Sequence, residues 1–254
     1  MSSVGCAVTK VGSPQNDAPS LPKDCSDGTI QPGTGQPGQP LPSNDTTQIK
    51  EELCTQYKVC PTESPLQPPN GAWTLAQLTA LWNLVQKIYM SPTYKTLAIG
   101  NYQLELTRAR CYPGGCDNTW GYYAGQVYPG WGKISGARLI VITDNINLAQ
   151  SQLVMEWLFA HEIGHSASGG LPDGSLAGSL GENSAYKNVQ SCGSIVSNYG
   201  YTNWNENNSE ILAFYMTAGE EAIGGYLGAN KNLAQDYTCV YNMAKQHYFN
   251  GIEY

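Results

Sequence analysis

Hydrophobic and polar positions fall into blocks of different rhythm along this chain. Up to about residue 48 there is no rhythm. Pro, Gly, Gln, Ser and Asp dominate around Gln31-Pro-Gly-Thr-Gly-Gln-Pro-Gly-Gln-Pro40, a composition too polar and turn-prone to bury a core. Residues 1–48 are therefore expected to form a flexible tail, and residues 49–70 a transition segment that carries Cys54 and Cys60 and closes with Pro65 to Pro69. From Thr74 the pattern turns helical, with Leu75, Leu78, Leu81, Leu84, Val85 and Ile88 on one face until Ser91-Pro92 breaks it. Tyr102 to Thr107 alternates like a half-buried strand, and Ala137 to Thr143 is a β-branched run suited to a more buried one. Residues 111–133, between them, read as a Gly- and Tyr-rich loop. Asp144 to Asn147 offer capping residues for a second helix over about Leu148 to Ser166, which Gly169-Gly170 stops. A third helix is expected from near Asn208 or Ser209, and a fourth over about Asn232 to Tyr248. Two strands set among four helices are read as an α+β fold.

Composition adds the setting. Only 13% of residues are charged, against about 25% in an ordinary domain. A net charge of −7 and a pI near 4.9 exclude a nucleic-acid partner, which needs clustered Lys and Arg. Eight cysteines, at 6, 25, 54, 60, 111, 116, 192 and 239, form no Cys-x-x-Cys pair and point to disulfides in an oxidising compartment. Short loops suggest Cys54 with Cys60, and Cys111 with Cys116 around a Pro-Gly-Gly turn; Cys192 with Cys239 would then tie the region beyond the histidines. No segment approaches the roughly 18 apolar residues of a transmembrane helix, and the first twenty lack a signal-peptide core. An export signal is expected to have been removed. Val4-Gly5-Cys6 resembles the end of a lipoprotein cleavage site, which would make Cys6 a lipid anchor to the cell surface. Two sequons, at Asn44 and Asn207, fit export, but a glycan on Asn207 would crowd the site described next.

The chemistry lies in His161-Glu-Ile-Gly-His165, which holds two of the three histidines in the chain. Four residues apart on a helix, both imidazoles project from one face and can share a metal, while Glu162 is turned aside from it. A zinc ion held there would lower the pKa of its water toward 7, and Glu162 would take the proton and pass it to a leaving amine. The plainer alternative is a pair of core histidines satisfied by hydrogen bonds. Against it stands Gly164, which costs about 1 kcal/mol inside a helix and needs a reason such as close packing. Ser168 and Leu171 exclude the metzincin pattern, and the downstream aspartates, Asp173 and Asp236, are not in the turn an Asp-liganded site uses. Glu206 and Glu210 remain as third ligands. Glu210 is preferred as a first-turn acid of the third helix, anchored by Ile211, Leu212, Phe214 and Tyr215.

With Ser209-Glu-Ile-Leu-Ala213 placed 210 − 165 = 45 residues after the motif, the chain resembles the gluzincins, most of all the catalytic domains of the lethal factor and Pro-Pro endopeptidase group. The resemblance covers residues 71–254. It implies a zincin-like fold, one Zn2+ on His161, His165 and Glu210, Glu162 as general base, and a peptide or protein substrate aligned on an edge strand, either 137–143 or the one near 102–107. It also implies an oxyanion-stabilising tyrosine several residues before the ligand glutamate. Asn203 stands at the closest spacing, Tyr199 and Tyr201 lie just upstream, and Tyr201 is chosen, with Tyr215 and His247 as substitutes. Trp120, Tyr122, Tyr123, Tyr128 and Trp131 are candidates to line a groove. The expectation is a secreted zinc endopeptidase. Its rivals are an inactive zincin serving as a surface-attached binding module and a metal-dependent cell-wall amidase.

Overall fold

The strands that the sequence pattern singles out lie inside a sheet, and two short strands it does not single out form the edges. In the computed structural model, which describes residues 40–125, 130–149, 151–168, 184–197, 199–229 and 237–254, four strands order as β1-β2-β4-β3. These are β1 (Val59–Glu63), β2 (Leu104–Ala109), β3 (Gly121–Gly125) and β4 (Arg138–Thr143). β1, β2 and β4 run parallel, and β3 closes the sheet antiparallel to β4. Every residue of β2 and β4 is buried, as both-face burial of parallel strands requires. The expectation that residues 137–143 or 102–107 form the free edge is therefore corrected: the edges are β1 and β3. β3 reads Gly-Tyr-Tyr-Ala-Gly, with a bulge between Tyr123 and Gly125 and a left-handed Gly125 at φ 59°, so it carries almost no strand signal.

Seven α-helices accompany this sheet among the described residues: α1 (Thr46–Tyr57), α2 (Leu75–Met90), α3 (Pro92–Ala98), α4 (Gln152–Ser168), α5 (Ser184–Gln190), α6 (Trp204–Ala229) and α7 (Tyr237–His247). The fold is mixed α/β with a small sheet, in keeping with the α+β expectation. α2 starts at a capping box in which Thr74 Oγ1 accepts from Gln77 N, and Gln77 Oε1 accepts from Thr74 N. Ser91-Pro92 ends α2 and also begins α3, because Ser91 Oγ caps Tyr94 N and Pro92 fills the first turn. Residues 46–63, read as the end of a tail and a transition segment, instead supply α1 and β1, with Ile49, Leu53 and Val59 in the main core.

The main core lies between the helices and one sheet face, where Leu81, Leu84 and Ile88 of α2 meet Leu106, Ile140 and Ile142, and Leu158 and Ile163 of α4. A smaller cluster of Ala109, Ala124, Leu139 and Val141 on the other face is covered by Tyr112, Tyr122 and Trp131. α4 is buried nearly all round, the mark of a central helix. Cys54–Cys60 ties α1 to β1, Cys111–Cys116 closes a turn, and Cys192–Cys239 joins the end of α5 to α7. These are the three pairings expected, and they fit an oxidising compartment. Cys6, Cys25, Tyr128 and the bulk of the expected tail lie outside the described residues, as do Asp173 and Asp236. No described helix is long and apolar enough to cross a membrane.

Candidate metal centre

α4 and α6 pack closely enough to bring their polar side chains face to face, and glycine is the reason. A Cβ on Gly164 would stand 3.0 Å from Ser209 Cα, so a side chain there would push the helices apart. That is the packing role left open by the sequence. α6 begins earlier than expected. Asn203 Oδ1 caps it by accepting from Asn205 N at 2.9 Å and Glu206 N at 3.0 Å. Glu206 is thus in the first turn, where the helix dipole favours a carboxylate, and Glu210 is one turn further in.

This shift decides which acid faces both histidines. Glu206 Oε2 lies 3.2 Å from His161 Nε2 and 3.1 Å from His165 Nε2, and the two Nε2 atoms are 3.1 Å apart. His161, His165 and Glu206 are the buried group able to hold a metal ion among the described residues. In a tetrahedral zinc site with bonds of roughly 2.0–2.1 Å, neighbouring ligand atoms stand about 3.3 Å apart. The three atoms therefore form one nearly ready face of such a site, with nitrogen and oxygen donors that suit zinc. Of the two acids weighed as third ligand, the structure brings Glu206 rather than the preferred Glu210 into the group with both Nε2 atoms. Glu210 is wholly buried behind His161, with Oε1 2.9 Å from Nδ1, at ion-pair distance but without the alignment of a full hydrogen bond. An acid there holds the imidazole with its Nε2 turned toward the other donors.

Burial pulls the His161 imidazole down, but Glu206 and Glu210 more than reverse this and lift its pKa to about 10. Burial likewise pushes Glu206 up, yet the two histidines hold it well below the usual carboxylate range. Glu162 behaves differently. Burial dominates and raises it to about 7 against the pull of both histidines. Neither of its oxygens receives a hydrogen bond of good geometry, although the Tyr123 backbone N–H is near enough to be felt.

No family model, curated protein or solved structure compared with this chain matches it. The site must speak through its own geometry.

Aromatic rings frame it. Trp157 packs on His161 with centroids 5.3 Å apart, and Tyr123 of β3 stacks on His165 at 6.4 Å and 18°. Tyr199 stands 5.8 Å from His161, centroid to centroid, with its hydroxyl buried. Tyr201 lies in the short turn Gly200–Thr202, and its side chain is outside the described parts. The other candidates sit elsewhere. Tyr215 donates to Ile252 O, His247 contacts Asn188, and Tyr122 and Trp131 cover the far sheet face. Trp120 is buried beside β3 in the main core. Asn207 is buried too, its amide donating to Ser194 O and accepting from Val196 N, which leaves no room for a glycan. The place of Glu206 in the first turn is legible in the sequence, since Asn203-x-x-Glu206 is itself a helix-start pattern.

Proposed function

We propose that the chain is a secreted zinc endopeptidase of the gluzincin type. The observation that carries this is the cluster of His161 Nε2, His165 Nε2 and Glu206 Oε2 at 3.1–3.2 Å, with Glu162 buried beside it and free of hydrogen-bond donors of good geometry. The spacing of motif and third ligand becomes 206 − 165 = 41 residues. Zinc bound there would supply Lewis-acid polarisation of a carbonyl and of a water.

The chain's own residues do the rest. Glu162 takes a proton from the attacking water at one carboxylate oxygen and returns it to the leaving nitrogen, so one side chain serves as base and then acid. Glu210 keeps His161 oriented and compensates its charge. Tyr199, at 206 − 199 = 7 residues before the ligand glutamate, takes over from Tyr201 as the residue that donates to the carbonyl oxygen as it gains charge. β3, the edge beside α4, is the strand on which an extended peptide would pair.

A diverse peptide library incubated with the wild type and with Glu162→Gln, read by mass spectrometry for new termini, tests this reading. Cleavage by the wild type alone supports it. Equal cleavage by both, or none by a fully zinc-loaded wild type, sinks it.

A further inference from the structure

We propose that Gly121 is a positioning residue for Glu162: the edge strand carries no side chain there because the Glu162 carboxylate fills that volume. This rests on the peptidase reading above. A Cβ on Gly121 would stand 2.5 Å from Glu162 Oε1, 2.6 Å from Cγ and 2.7 Å from Cδ. Three atoms of a wholly buried side chain would have to move together. Backbone conformation supplies no competing reason for the glycine. Gly121 is not among the residues with left-handed φ, and it pairs in regular register with Ile142. A glycine inside a strand is otherwise a weakness.

Two residues further on, and so on the same face of the strand, Tyr123 stacks on His165. β3 thus offers the motif helix an empty position opposite the base and a ring opposite a metal ligand. The three ligands themselves lie on α4 and α6. A side chain at 121 displaces the base and leaves the ligands in place.

The test uses the full chain as wild type, Gly121→Ala, Glu162→Ala and the double variant, with melting temperature and zinc content measured for all four. Gly121→Ala is expected to lower the melting temperature in the wild-type background. In the Glu162→Ala background it is expected to leave it unchanged or raise it, because alanine is the better strand residue once the carboxylate has gone. Zinc remains bound in Gly121→Ala, kcat falls by about tenfold or more, and KM stays within about twofold. If Gly121→Ala alone fails to fold, a folded double variant reports the same coupling. An equal loss of stability in both backgrounds, or failure of both to fold, overturns the contact. Full zinc with unchanged kcat overturns the positioning role alone. A wild type that takes up no zinc and cleaves nothing removes the peptidase reading and this role with it, while the melting cycle still reports the contact.

Discussion

Two buried glutamates stand in similar surroundings and are treated in opposite ways. Glu105 on β2 and Glu162 on α4 are both enclosed, and each occupies the place where the Cβ of a glycine would be, Gly132 for the first and Gly121 for the second. Glu105 accepts from Thr62 Oγ1 at 2.6 Å, Lys133 N at 2.7 Å and Ile134 N at 3.0 Å. Glu162 accepts no hydrogen bond of good geometry. The first is a carboxylate whose desolvation is offset by fixed donors, and it pins the 132–134 loop to the sheet. The second has no such set of donors, and stands beside two histidines and an acid that could hold a cation. The fold satisfies the first acid, and the proposed function gives the second a use for its open oxygens.

Substitutions can break this contrast. Glu162→Gln is expected to reduce kcat/KM by about 10²–10⁴-fold with zinc content unchanged, while Glu105→Gln leaves kcat nearly intact; peptide hydrolysis by the two purified variants decides it. Next in size come Glu206 and Glu210 of α6. Glu206→Ala should weaken zinc binding by more than about 100-fold, and Glu210→Gln by about 10–100-fold, as competition with a chromogenic chelator would show.

Acidity offers a third test. In the metal-free protein His161 is raised from 6.5 to about 10, so it carries a proton at neutral pH that zinc must expel. Zinc affinity then rises about tenfold per pH unit below that value, with about one proton released per ion, measurable by calorimetry in buffers of different ionisation enthalpy. The sign for stability is the opposite. Attraction between His161 and its glutamates stabilises the metal-free fold fully below about 6.5 and is lost as pH rises through about 10. The smallest effect is on stability alone: Glu105→Gln should cost about 1–3 kcal/mol in denaturant unfolding.

Periodicity made the large elements legible. α2 and α4 bury long apolar faces, and the motif on α4 needed only four-residue spacing to place both histidines together. Short or irregular elements were not legible. β1 contains Pro61 and β3 begins and ends in glycine, so neither has a strand pattern, and tertiary pairing alone makes them strands. The start of α6 is hard to read from the sequence for a related reason. An apolar run from Ile211 suggests a helix start near Ser209, whereas Asn203 caps the helix five to six residues earlier, and that one and a half turns puts Glu206 in the first turn instead of Glu210. Gly121 and Gly164 could not be interpreted without knowing which atoms lie opposite them.

The measurement that bears most directly on the central claim is zinc stoichiometry by elemental analysis of the full chain as wild type, Glu206→Ala and Glu210→Ala. The account predicts about one zinc per chain in the wild type, loss in Glu206→Ala and retention under zinc-replete conditions in Glu210→Ala. A wild type with well below one metal per chain, or one that loses it only on substitution of Glu210, would contradict it.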